Sequence, residues 1–376
     1  MKLFDVYPRF NVQIEKAKGC EIFDCNGKSY LDFYGGHGVI SIGHSHPYYV
    51  QAIKDQLDKI AFYSNSVEIP LQNQLAQKLG ELSGYSNYNL FLCNSGAEAN
   101  ENALKLASFH TGKKKIIAFK NSFHGRTAAA LNVTDNPKLS APINEWNYEV
   151  EFHLLNDLYN VKESLEKGDV AAVIIEGIQG VGGLDEASPE FLMFLELCCK
   201  ENEALLILDE IQSGYGRTGD FFAHQNAQIK ADIITTAKGM GNGFPIAGVL
   251  ISPKIKATSG LLGTTFGGNQ LACAAGLAVL HVLESENLMA NVPKLSQSVK
   301  KQLTIIEGVK QVKGRGLMMG VEFDFPIKKI RKKLLIHHRI FTGASANPNL
   351  LRILPPLNIS ETELNQFVFA LKQTLS

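Results

Sequence analysis

The sequence predicts an α/β fold: a large domain built on a mostly parallel sheet flanked by helices, followed by a smaller α/β C-terminal domain. Two patterns carry that prediction. From about Tyr88 onward, short apolar runs rich in β-formers alternate with longer helical stretches, as in β-α-β units. The runs are apolar throughout rather than alternating, as strands buried on both faces must be. At 376 residues the chain can bury one large core and a smaller one.

Residues 1–45 are expected to pack with the small domain, 46–255 to form the large domain, and 256–376 to supply an interface helix and the small domain. The strand candidates of the large domain are YNLFLC, KKIIAFK, DVAAVIIEG, ALLILDEI, DIITTAK and PIAGVLIS. Between the third and fourth lies SPEFLMFLELCCKENE, a helix with Ser188 as its N-cap and Pro189 at its first position. The segment NQLACAAGLAVLHVLESENL is apolar almost all round in its first half, so it reads as a long buried or interface helix leaving the sheet. Beyond it come a strand pair in VKGRGLMMGVEF, the basic KKIRKKLL, a strand in LRILPPLNI and a final amphipathic helix. Apolar positions in helical register with KKIRKK favour a solvated helix face over a nucleic-acid patch.

Lys+Arg and Asp+Glu balance at 37 each, so no global field draws in nucleic acid or a membrane, and any anion must be caught by a local site. The six cysteines are scattered without a CxxC pair, and three lie in apolar runs, which suits a reducing compartment. The N-terminus MKLFDVYPRF lacks the apolar stretch of a secretory signal, and no run approaches the roughly 18 residues needed to span a bilayer. A cytoplasmic location is the expectation.

Three places suggest chemistry. NSGAEAN follows a strand directly, so Ser95, Gly96 and Ala97 would sit at a strand-to-helix turn whose free N–H groups can hold an anion; an ordinary capped helix start reads the same way. Asp209 ends the strand ALLILDEI, where α/β folds place ligand-facing groups; it would suit a pyridinium nitrogen, or serve as a structural acceptor. Lys238 leaves the run DIITTA for the glycine-rich GMGNGFP. Partial burial beside other cations would lower its pKa and free the amine for Schiff-base chemistry, although most lysines are simply on the surface.

GYGRTG matches the pattern GxGxxG, but no clear apolar helix follows and the acid expected roughly 20 residues on is poorly placed, so it reads as loop. His37, His44 and His46 have no further ligands at suitable spacing, so no metal site is expected; GHSHP reads as a turn and His37 as a pocket candidate.

Taken together, NSGAEAN, NSFHGRT, LLILDEIQSGYGRTG, TTAKGMGNGFPIAG, GTTFGGN and LRILPPL, in this order over nearly the whole chain, resemble the class III (ornithine-type) aminotransferases, above all their acetylornithine branch. The resemblance implies the pyridoxal 5'-phosphate (PLP)-dependent transferase fold type I and a homodimer with active sites at the interface. It implies that Ser95, Gly96 and Ala97 bind the cofactor phosphate, that Phe123 stacks on its ring, and that Asp209 and Gln212 meet its ring nitrogen and hydroxyl. Lys238 would be its covalent anchor and the catalytic residue. Thr265 would reach the cofactor phosphate of the partner subunit, with Thr264 near the substrate and Glu176 near the ring. Arg126 would clamp a substrate carboxylate and Arg352 would receive 2-oxoglutarate, a role suited to a planar guanidinium.

The implied reaction moves the terminal amino group of N2-acetylornithine to 2-oxoglutarate, giving the semialdehyde and glutamate, in arginine biosynthesis. N2-succinylornithine, free ornithine and 4-aminobutyrate are the alternative donors. A PLP-binding regulator would need an effector module, and no helix-turn-helix segment or basic arm is added here.

Two departures from the family pattern matter. Where the family usually reads EPxQGE this chain reads EGIQGVGG, so Val181 replaces an acid that pairs with the second arginine, and Arg352 is expected to be unmasked in the resting enzyme. His37 stands where ornithine enzymes carry a tyrosine and acetylornithine enzymes commonly an aliphatic residue. Asn242 and Gln270 also differ from the common Gly and Pro, and carry no inference.

Overall fold

The computed structural model describes residues 1–144 and 148–376. Three sheets organise the chain. The first is formed by β1 (Ile14–Lys18), β2 (Glu21–Asp24) and β3 (Ser29–Asp32), joined on the β3 edge by the distant β13 (Ile340–Phe341) in parallel register. None of these N-terminal strands is evident in the sequence. They are four or five residues long, and β1 is largely exposed, so no apolar run marks it.

The central sheet has seven strands: β4 (Asn89–Cys93), β5 (Lys115–Phe119), β6 (Val150–His153), β7 (Val170–Ile175), β8 (Leu205–Asp209), β9 (Ile233–Thr236) and β10 (Ala247–Ile251). Their order is β4-β10-β9-β8-β7-β5-β6, with only β10 antiparallel to its neighbours. Six of the seven lie in the runs expected to be strands. The exception is the edge strand β6, whose Glu151 pairs with Lys115 at 2.8 Å and whose first three residues are only half-buried. A polar edge of four residues gives no apolar signal.

Helices α1 (Gly35–Gly38), α2 (Pro47–Leu57) and α3 (Pro70–Ser83) precede this sheet; α4 (Gly96–Thr111), α5 (Ala128–Asn132), α6 (Leu158–Leu165) and α7 (Pro189–Glu201) fall between its strands. Ser188 caps α7, its Oγ accepting from Phe191 N at 3.1 Å, and Pro189 opens the helix. The apolar segment near 270 is α8 (Gln270–Ser285), buried at most positions and packed on α2 and α3. It is followed by α9 (Leu288–Thr304), the antiparallel hairpin β11 (Gln311–Arg315) and β12 (Met318–Glu322), and α10 (Lys328–His338). The third sheet, β11-β12-β15-β14, is completed by β14 (Gly343–Ala344) and β15 (Leu350–Ile353), and α11 (Glu361–Leu375) ends the chain.

In α10 the residues Ile330, Leu334 and Leu335 are buried while Lys328, Lys329, Lys332 and Lys333 face outward, the arrangement expected of a solvated face. GYGRTG forms neither helix nor strand, yet it is buried: the Arg217 guanidinium donates to the carbonyls of Pro355 and Ile40, tying the loop to two distant segments. All six cysteines are free and only Cys25 is exposed. Among the described residues no single helix is long and apolar enough to cross a membrane.

Candidate active site

Because β10 reverses direction between β9 and β4, the strands β4, β5, β7, β8 and β9 all end at the same edge of the sheet. The segments leaving that edge enclose a cavity of about 440 Å³, lined among others by Ser95, Gly96, Ala97, Phe123, Arg126, Glu176, Asp209, Gln212 and Lys238. The carboxyl ends of parallel strands are where such folds gather ligand groups, because loops there escape the helices that cover both faces.

At one wall, Ser95 caps α4. Its Oγ accepts from Glu98 N at 3.3 Å and donates to Glu98 Oε2 at 2.9 Å, leaving the first-turn N–H groups of Gly96 and Ala97 as anion donors at the positive end of the helix. Glycine at position 96 leaves room for Ile211, whose Cδ1 would lie 2.8 Å from a Cβ there.

Asp209 is buried, and its Oδ2 accepts from His124 Nδ1 at 2.7 Å and from Asn100 Nδ2 at 2.8 Å, while Oδ1 accepts from Ile211 N at 3.1 Å. Asn100 is held in turn by Thr235 Oγ1, which donates to its Oδ1 at 2.8 Å. Neither Asn100 nor His124 was singled out from the sequence. The only signal was their place inside NSGAEAN and NSFHGRT, one turn into α4 and beside Phe123.

Lys238 follows β9 by two residues with φ +37, a left-handed conformation that costs energy for a residue with a side chain. Burial, and to a lesser degree Arg352, hold its amine below the usual lysine range; Asp209 and Glu176 act in the opposite direction. Glu176 accepts from Phe123 N at 2.9 Å and from Gly180 N at 3.0 Å, and burial pushes its carboxyl up to about 7.

Arg352 projects from β15 and is 3% exposed. Its Nη1 donates to Gly180 O at 2.5 Å and to Gln212 Oε1 at 3.3 Å, and its Nε has no hydrogen-bond partner among the described residues. No carboxylate forms an ion pair with it among those residues. The guanidinium is therefore free of an acid, as expected with Val181 in the EGIQGVGG turn, but it is not open: neutral carbonyl oxygens cover Nη1. Arg126 is exposed at the cavity wall.

Four expected residues do not line this cavity: Arg352, which lies behind Gly180 and Gln212, and His37, Thr264 and Thr265. His37 is exposed in α1 with φ +71; its ring lies against Tyr34 at a centroid distance of 4.5 Å, and its carbonyl accepts from Gln212 Nε2 at 3.3 Å. Thr264 Oγ1 accepts from Asn94 Nδ2 at 3.3 Å and from Gly267 N at 3.2 Å, and Thr265 is exposed. His44 and His46 bond instead to Asp32 and Glu286, each at 2.8 Å, and no cluster of three metal-ligating side chains occurs among the described residues.

A lysine whose amine is biased toward neutrality, a buried carboxylate braced by two donors and a helix N-terminus share one cavity. These features define an enzyme that reacts with amines through an anionic ring cofactor, and they fit PLP. The family model for class III aminotransferases matches residues 5–375. The chain is 42% identical to an acetylornithine aminotransferase of Bacillus subtilis over 100% of its own length and 97% of that protein, and 39% identical to one of Aquifex aeolicus over 99% of each. The crystal structure of the ornithine aminotransferase of Toxoplasma gondii ME49 superposes with a TM-score of 0.92 at 28% identity, covering 98% of this chain and 91% of that one. The chain belongs to the class III aminotransferases. It is a PLP-dependent transaminase, acting on amino-group donors and 2-oxo acids.

Proposed function

We propose that this enzyme moves the terminal amino group of N2-acetylornithine to 2-oxoglutarate, giving the semialdehyde and glutamate, as a step of arginine biosynthesis in the cytoplasm. The observation that carries the choice of donor is the match over essentially the whole chain to relatives bearing that activity in their names.

Bound PLP supplies the electron sink for the carbanion of the substrate. The chain's own residues bind, orient and move protons. Gly96 and Ala97 offer their N–H groups, with Ser95, to the phosphate. Phe123 would cover the ring, and Asp209, which accepts from His124 and Asn100, would face the ring nitrogen. Gln212 meets the ring hydroxyl. Lys238 would anchor the cofactor, and its Nζ, held below the usual lysine range by burial, would take a proton from the substrate carbon and return it.

Arg126, on the cavity wall, takes the carboxylate of the amine donor, while Arg352 takes that of 2-oxoglutarate through the edge that carries its unpartnered Nε. Glu176 sits beside the ring. Thr264, Thr265 and His37 act at the rim, Thr265 toward the cofactor of a second subunit in a homodimer with shared active sites. A succinylated donor is the second reading, favoured by the acid-free Arg352, which could meet one more carboxylate.

The test is a single-turnover half-reaction on the PLP-loaded enzyme with N2-acetylornithine, N2-succinylornithine, ornithine and 4-aminobutyrate in separate experiments, followed by cofactor absorbance. Fastest conversion with the acetylated donor supports the proposal; preference for any other names that donor instead.

A further inference from the structure

Arg352 occupies an unusual place in its sheet. Its cross-strand neighbours are Gly320 on β12 and Gly343 on β14, so no side chain flanks it on either side in the way paired residues of a sheet normally do. On the Gly343 side the space is taken by Tyr34. A Cβ at position 343 would lie 2.8 Å from both Cδ2 and Cε2 of the Tyr34 ring and 3.2 Å from Arg352 Cβ, so the ring rests where that side chain would be. The guanidinium carbon of Arg352 lies 5.9 Å from the centroid of the same ring, within cation–π range.

Tyr34 is itself held. Asp32 Oδ1, on a buried side chain, accepts from Tyr34 N at 3.0 Å and from Gly35 N at 2.8 Å, and His37 packs against the ring. Burial lowers the basicity of Arg352, and the Tyr34 phenol group, through its charge and hydrogen bonding rather than its ring face, opposes that effect ahead of Glu176.

We infer that Tyr34 is a positioning residue for Arg352: its ring, seated on Gly343, fixes the guanidinium in place without an acid, so that the arginine is available to an incoming 2-oxo-acid carboxylate at all stages of the cycle. The inference rests on the proposed role of Arg352. An ion pair would hold the arginine as firmly but would have to be broken each time the 2-oxo acid binds; an aromatic face attracts the cation without taking its Nε–H, which has no partner among the described residues, while Nη1 stays on Gly180 and Gln212.

The test compares Tyr34→Leu, Tyr34→Phe, Gly343→Ala and Arg352→Lys in the holoenzyme. Tyr34→Leu is expected to raise KM for 2-oxoglutarate about tenfold, with the amine half-reaction changed less than about twofold. Tyr34→Phe, which keeps the ring, restores KM. Gly343→Ala, which leaves Tyr34 intact but displaces it, raises KM in the same selective way and stands in if Tyr34→Leu does not fold. If Arg352→Lys raises KM while both Tyr34→Leu and Gly343→Ala leave it unchanged, or if either slows both half-reactions equally, the positioning role is overturned. If Arg352→Lys itself leaves KM unchanged, the carboxylate assignment of Arg352 fails, and the inference with it.

Discussion

His124 Nδ1 lies 2.7 Å from Asp209 Oδ2, and both are buried residues of the cavity wall. With Asn100 donating to the same oxygen, the carboxylate is fixed in place before any ligand arrives, so little reorganisation is needed when the cofactor ring docks. Replacing His124 with alanine removes one of these charge-assisted bonds. The expected result is PLP bound at least about tenfold more weakly, from the typical worth of a hydrogen bond to a charged group. Equilibrium titration of apo-protein with PLP measures it, and an unchanged Kd would show that Asn100 alone suffices.

Lys238→Ala should retain the fold, since the side chain points into a cavity rather than a packed core, but lose turnover by a factor of about 10²–10⁴ or more. Circular dichroism and the transamination rate are the paired measurements. An active Lys238→Ala enzyme would be incompatible with the assignment.

Glu176 makes stability depend on pH. Burial raises its carboxyl from 4.5 to about 7, so between those values the folded chain binds more protons than the unfolded one. The resulting stabilisation is fully present below about 4.5 and is lost as the pH rises through about 7. Glu176→Gln, which cannot ionise, should flatten that part of the profile. Thermal melts of both proteins from about pH 5 to about pH 8 decide it, and parallel profiles would rule out this source.

Val181→Glu reintroduces an acid in the turn that covers Arg352. Val181 lines the cavity and its carbonyl already accepts from Ala346 N at 2.8 Å, so the backbone is fixed and the new side chain can reach only locally. The expected effect is a KM for 2-oxoglutarate raised by about tenfold, because an ion pair must now be broken for the substrate to bind. Steady-state kinetics with the 2-oxo acid varied report it, and an unaltered KM would mean that the introduced acid does not pair with Arg352.

Much of the central sheet was legible in the sequence because strands buried on both faces have to be apolar at every position. The same logic hid β1, β2, β3 and β6, which are short or lie at an edge with one side wet, and so leave no continuous run. Ser95, Asp209 and Lys238 could be singled out because each stands at the end of such a run, where a polar residue is conspicuous. Asn100 and His124 could not, since one lies inside a helix and the other in a loop, and their shared partner is remote in sequence.

By itself the sequence determined the α/β class, the order of the main elements and the candidates for chemistry that gather at the cavity, because these follow from local periodicity and from motifs of a few residues. Only the tertiary structure decided what braces Asp209, that His37 lies outside the cavity, and that Arg352 is held by Gly180, Gln212 and Tyr34 rather than by an acid. Those outcomes depend on contacts between segments separated by up to hundreds of positions, and such contacts are set by how the layers pack, which no local pattern records.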